Sequence, residues 1–252
     1  MITWAITRLP AENLGLGLTT ANLGSPDYAV ALRQHAAYVA ALKVIGLEVT
    51  VLEPLPDFPD AHFVEDTAVV FPELAVITRP GATARRGEIE SMEPVLARHR
   101  PTVRITAPGT LDGGDVLTIG DRVYVGLTDR TNQAGFEQLR DLLKPYGYNC
   151  HAIPVAAGLH LKSSVNYAGK NTLLVTAALA DCPEWSGYQL IVTAAGEEYA
   201  CNTLLVNDHL LTPGGFPNTN RQLAVLELPL IKLDMSEMRK MDGGLTCLSL
   251  RF

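Results

Sequence analysis

Two short β-rich runs, a helix and a third β-rich run recur along this chain, and the repeat constrains its fold more than any other feature. The clearest copy lies mid-chain. DVLTIGDRVYVGL splits into two runs at a Gly-Asp turn. TNQAGFEQLRDLLKPYGY follows, with Phe136, Leu139, Leu142 and Leu143 on one helical face, and NCHAIPV reads as a strand. Upstream, FVEDTAVVF and LAVITRP read as paired strands, GEIESMEPVLARH as an amphipathic helix and TVRIT as a strand. Downstream, SVNYAG and NTLLVTA lead through an irregular segment, Asp181–Tyr188, to LIVTA. CNTLLVN, HLLTPGG, the helix NTNRQLAVLEL and IKLDM make a further copy. The copies recur every roughly 40–50 residues, the length of one supersecondary unit.

A fifth copy is split between the chain ends. GLTCLSLRF supplies one strand at the C-terminus; ITWAITRLP, the helix PDYAVALRQHAAYVAALKVIG and LEVTVLE supply the rest at the N-terminus. Pairing of the terminal strands would close a ring and remove exposed strand edges. The repeat alone leaves an ordinary three-layer α/β sandwich open as the alternative.

Composition narrows the partners. The formal charge of -7 argues against a nucleic-acid footprint and is compatible with a cationic small substrate. Lys and Arg are scattered, densest at Arg85-Arg86, so there is no polybasic patch for a membrane. MITWAITRLPAEN is too short in apolar residues for a signal-peptide core, and no run approaches the ~20 apolar residues of a membrane span. Cys150, Cys182, Cys201 and Cys247 are far apart, which favours reduced thiols in a cytoplasmic protein over disulfides.

Polar residues cluster at strand starts and turns in similar phase of the repeats: Asp60 with Glu65-Asp66, Asp112 with Asp115, His160, Asn202 and Cys247. A radial repeat would bring them to its centre. A cysteine with a histidine suffices for nucleophilic catalysis, because the thiolate attacks and histidine carries protons near neutral pH. Taken singly, Cys247 fits a small buried hydrophobe and His160 a satisfied core histidine. The Gly-Gly ahead of Cys247 lets backbone pass close to a ligand. Acids in apolar strands need partners, and a guanidinium with five N–H donors suits paired carboxylates. Oxygen clusters also suit Mg²⁺ or Ca²⁺, but the spacing matches no calcium loop, and DGGD is equally a plain turn. Arg85 and Arg130 each follow the second strand of a unit, where arginine can hold a carboxylate.

FVEDTAVV, AVITRPGATARRGE, TLDGGDVL, VYVGLTDRTNQ, GLHLKS and MDGGLTCLSLRF together resemble the dimethylarginine dimethylaminohydrolases of the guanidine-modifying pentein superfamily. The resemblance covers nearly the whole chain. It implies a single catalytic domain over residues 1–252, folded as a five-bladed α/β-propeller of ββαβ units closed by pairing of the C-terminal and N-terminal strands. It also implies hydrolysis of Nω-methylated L-arginine to L-citrulline through a covalent S-alkylthiouronium on Cys247, with no cofactor and no metal. His160 would serve as acid and base, and Asp112 would complete the catalytic set. Asp66, with Glu65 beside it, would grip the guanidinium. Arg85 and Arg130 would clamp the α-carboxylate, Asp60 and the Met241 backbone would hold the amine, and Leu18 would belong to a lid.

An arginine deiminase would share this chemistry with ammonia leaving, but such enzymes are typically longer. Amidino transfer is disfavoured for the same reason. A non-enzymatic pentein, as in a translation initiation factor of that fold, would have no need of Cys247, His160 and two acids in register. Oligomeric state is not readable, though an edge of the ring could pair two copies into a homodimer.

Overall fold

The computed structural model describes residues 1–155 and 159–252. Gly158, in the GLHLKS motif, lies outside the described residues. Five three-stranded sheets follow one plan: an antiparallel pair, then a parallel third strand reached by a crossover. In the second unit β3 (Ala68–Val70) pairs with β4 (Ala75–Ile77), and α2 (Ile89–Leu96) leads to β5 (Thr102–Arg104). In the third, β6 (Val116–Ile119) and β7 (Arg122–Leu127) connect through α3 (Gln133–Leu143) to β8 (Asn149–Pro154). The fourth has β9 (Val165–Gly169), β10 (Thr172–Val175) and β11 (Gln189–Val192). The fifth has β12 (Leu204–Val206), β13 (His209–Pro213), α4 (Pro217–Leu223) and β14 (Leu230–Leu233).

The remaining unit joins the chain ends as expected. β15 (Leu250–Arg251) pairs antiparallel with β1 (Trp4–Arg8), which crosses through α1 (Tyr28–Val44) to the parallel β2 (Glu48–Leu52). Parallel neighbours require such crossovers, and the apolar helix faces cover the sheets. Asp27 caps α1 by accepting from the Val30 amide, and Asn132 caps α3 by accepting from Gly135. Phe136, Leu139 and Leu143 of α3 pack on Val123 and Val125 of β7. The fourth crossover has only 3₁₀ turns at Ala177–Leu179 and Pro183–Trp185, and buried Trp185 fills the space beside Tyr124. No helix among the described residues is long and apolar enough to cross a membrane.

Two expected strands are shorter than their apolar runs. Val64–Thr67 forms a 3₁₀ turn ahead of β3, and Thr246–Leu248 forms one ahead of β15. Local bonds replace ladder bonds there: Thr67 Oγ1 donates to the Val64 carbonyl, and the Cys247 amide to the Gly244 carbonyl. Cys247 therefore sits on a turn and not within a strand. Gly113–Asp115, Leu161–Ser163 and Glu198–Cys201 form matching turns before β6, β9 and β12. The first strands β15, β3, β6, β9 and β12 all contribute to one cavity of about 480 Å³, through Arg251, Val69, Leu117, Tyr167 and Leu205.

Candidate active site

The 3₁₀ turns bring the expected residues together. Asp66 lies within the first, Asp112 and His160 immediately precede theirs, Asn202 follows its turn, and Cys247 lies within the last. Leu18, Asp60, Asp66, Arg85, Arg130, His160, Met241 and Cys247 line one small cavity. Phe63, Leu159, Asp242 and Gly243 complete its wall.

DGGD is more than a plain turn. A Cβ on Gly113 would stand 1.9 Å from the Glu65 carbonyl oxygen, and one on Gly114 would stand 2.7 Å from His160 Nδ1. The two glycines let the second and third units meet at the histidine. The Gly114 amide donates to Asp66 Oδ1 at 2.9 Å.

Asp112 is fully buried behind His160, with Oδ2 3.0 Å from the ring Nε2 and Oδ1 accepting the Gly81 amide. Asp66 Oδ1 lies 3.8 Å from the same ring nitrogen. Burial alone would lower the pKa of His160, but the Asp66 charge, the Asp112 bond and the Asp115 charge raise it to about 9. The imidazole is therefore cationic at neutral pH. For Asp66, burial is outweighed by His160, Arg85 and the Gly114 amide, and its carboxyl falls to about 2. Burial, with the Glu65 and Asp66 charges, pushes the Cys247 thiol up to about 12. A positive charge beside this thiol would favour the thiolate.

The two arginines differ. Arg85 is buried and committed to protein partners: Nη1 donates to Asp66 Oδ2 at 2.5 Å, Nε and Nη2 grip Glu88, and Nη2 also meets the Phe63 carbonyl. Arg130 has one ion-pair contact among the described residues, 4.0 Å from Asp112 Oδ2. It is the cation with donors to spare. Asp60 accepts the Leu18 amide at 2.9 Å, which draws the Leu18 loop over the cavity. Asp242 accepts the Thr20 amide and hydroxyl at 2.5 and 3.0 Å and ties the same loop down.

Glu65 turns away from its expected company. Its Oε1 pairs with Lys162 at 2.6 Å and Arg251 at 3.3 Å, and its side chain borders the 480 Å³ cavity rather than the pocket holding Cys247. Asp66, Asp112 and His160 could in principle hold a metal, since one ligand atom of each lies within 4.8 Å of the others. Their bonds to Arg85, Gly114, Gly81 and one another already satisfy them.

Phe63 and Leu159 were not legible as wall residues; their one signal is adjacency to the acidic and histidine motifs. Glu88 could have been found, because RRGE places it three residues after Arg85 in a helical stretch.

Five sheets built on one ββαβ plan thus bring a cysteine, a histidine and an acid to one pocket, with a second acid behind the histidine. The N-terminal domain of cyanobacterial ArgZ, an arginine dihydrolase, shares this fold with a TM-score of 0.89 at 17% identity, over 99% of this chain and 97% of that one. No protein-family model matches the chain. It is 41% identical over 254 aligned positions to an N(G),N(G)-dimethylarginine dimethylaminohydrolase of Pseudomonas aeruginosa, covering all of both proteins. A counterpart from Streptomyces coelicolor is 41% identical over 249 positions, covering 98% of this chain and 96% of the relative. A citrulline complex of a cysteine-to-serine mutant of the P. aeruginosa protein superposes with a TM-score of 0.98 at 40% identity, over the full length of both. The chain belongs to the dimethylarginine dimethylaminohydrolase family, whose members are hydrolases of carbon–nitrogen bonds.

Proposed function

We propose that this protein hydrolyses Nω-methylated L-arginine to L-citrulline and dimethylamine or methylamine. The observation that carries this reading is the gathering of Cys247, His160 and Asp66 in one small pocket with Arg130, Asp112 standing behind the histidine. The substrate guanidinium lowers the pKa of Cys247, whose proton passes to solvent, and Asp66 steadies the guanidinium charge. The sulfur bonds to the guanidinium carbon. His160 gives its proton to the departing amine as the C–N bond breaks, leaving an S-alkylthiouronium. The neutral ring then takes a proton from water, whose oxygen attacks the same carbon. The C–S bond breaks, the added hydroxyl becomes the carbonyl of citrulline as its proton returns to the Cys247 sulfur, and citrulline leaves. Asp112 holds the ring through both halves.

Arg130 takes the α-carboxylate, with the buried Arg85 adding positive potential and fixing Asp66. Asp60, Leu18 and the Met241 backbone hold the α-amine under the lid. Glu65, paired with Lys162 and Arg251 beside the neighbouring cavity, acts on the pocket through its charge rather than by contact. The whole chain, 1–252, is one catalytic domain whose five sheets close as a propeller; the β15–β1 pairing and the shared axial cavity support that closure. The protein acts in the cytoplasm on a small molecule.

The test is a panel of arginine, monomethylarginine, asymmetric dimethylarginine and symmetric dimethylarginine, with citrulline and the released amine both quantified. Monomethyl- and asymmetric dimethylarginine should be turned over. Turnover of unmethylated arginine alone, with ammonia released, would replace this reading with a deiminase.

A further inference from the structure

Asp115 lies outside the substrate pocket and takes no part in the steps above, yet its burial is complete. Its Oδ1 accepts the amide of Leu161, the residue after His160, at 2.9 Å. Its Oδ2 accepts the Thr128 hydroxyl at 2.8 Å and the Thr131 hydroxyl at 2.7 Å. Each hydroxyl passes the connection on. Thr131 Oγ1 accepts the amide of Asp112 at 3.1 Å, and Thr128 Oγ1 accepts the amide of Arg130 at 3.0 Å. One carboxylate is thus two bonds or fewer from the backbone of the histidine turn, the histidine's acid partner and the spare arginine. Room for it comes from Gly126 of β7, where a Cβ would stand 3.0 Å from Oδ1.

A group placed only to fill space would not be a carboxylate, because an acid buried among apolar strands is costly without such partners. Burial pushes its pKa up to about 6 against the opposing pull of His160, the two threonines and the Leu161 amide. It is therefore charged at neutral pH. The charged groups that act on the His160 ring are Asp66, Asp112 and Asp115, with Arg85 tied to Asp66 and Arg130 near Asp112.

We propose that Asp115 is a positioning residue for the reaction: it fixes the catalytic histidine, its acid partner and the substrate-carboxylate arginine relative to one another through Leu161, Thr131 and Thr128. The inference rests on the proposed hydrolysis for its kinetic consequences, and on geometry for the effect on His160.

The experiment is Asp115→Asn, which keeps size and loses the charge. Two readouts apply: NMR titration of the His160 ring in protein without substrate, and kcat and KM against pH. We expect the His160 midpoint and the alkaline limb of kcat/KM to move down together by about one pH unit. We also expect KM to rise as Arg130 loosens. An unmoved midpoint with unchanged kcat and KM would overturn the proposal. Should wild-type protein make no citrulline, the hydrolysis reading fails, while the titration still decides Asp115. Thr131→Val covers the case in which Asp115→Asn does not fold. It should lower kcat/KM about tenfold, the loss expected of one mispositioned bond, with Thr131→Ser restoring it. Wild-type kinetics in Thr131→Val, or no recovery in Thr131→Ser, would overturn the coupling.

Discussion

Asp112 and His160 stand 48 positions apart in the chain, yet Asp112 Oδ2 lies 3.0 Å from His160 Nε2, both side chains buried. The pair joins two structural units, and its strength is set by what surrounds it. Asp112→Asn should pull the His160 pKa down from about 9 and lower kcat by about 10²-fold or more as general acid catalysis weakens. Cationic His160 is the acid form, so activity is present below its pKa and lost above it. The alkaline limb of the pH–rate profile should move to lower pH in the variant. A limb that stays in place would contradict the assignment.

Cys247→Ser should bring turnover below detection while leaving the unfolding temperature nearly unchanged, since Cys247 makes few polar contacts. Mass spectrometry of wild-type protein quenched during turnover should find an adduct that the variant lacks. Normal turnover by the serine variant would refute covalent catalysis here.

The arginines should separate cleanly. Arg130→Ala should raise KM at least tenfold with little change in stability. Arg85→Ala strands Asp66 and Glu88 as buried charges and should cost about 3–5 kcal/mol in denaturant unfolding. Equal stability of the two variants would count against this division of labour.

Gly114→Ala drives a methyl into His160 and Asp66, with contacts of 2.7 and 2.9 Å, and should abolish activity in a protein with native circular dichroism. Gly120→Ala is the control. It meets nothing within 4 Å, and its cost is a left-handed residue at φ +61, about 1–2 kcal/mol. Circular dichroism and citrulline production measured on both variants test the contrast.

Acid should destabilise the fold through His35 and His62, whose Nε2 atoms have no partner among the described residues. Burial depresses His35 to about 4; burial, then Arg85 and His35, depress His62 to about 3. A depressed folded value means the stability is fully present above the unfolded value of about 6.5 and is lost as pH falls below it. The drop for His35 is worth about 3 kcal/mol at pH 4. Unfolding free energy measured from pH 7 to 4 should fall, and His35→Gln should flatten part of that slope.

The ββαβ repeat was legible because it rests on local information: runs of β-branched residues, a Gly-Asp turn, and helical spacing at Phe136, Leu139 and Leu143. The split unit was legible for the same reason, and β15 does pair with β1. Local pattern also placed Cys247, His160, Asp112 and Asp66 in equivalent phase. It misjudged where strands begin, because the 3₁₀ turns at Val64–Thr67 and Thr246–Leu248 carry the same apolar residues a strand would.

What sequence determined, then, is the unit and the residue types offered at one end of it. Tertiary structure alone decided how those residues share charge. Glu65 and Asp66 are adjacent in the chain, yet one pairs with Lys162 and Arg251 while the other meets Arg85 and His160. Arg85 and Arg130 sit at like positions in their units, yet one is spent on buried acids and the other is left with donors free. Burial and the distance between charges set these outcomes, and both are properties of segments far apart in the chain.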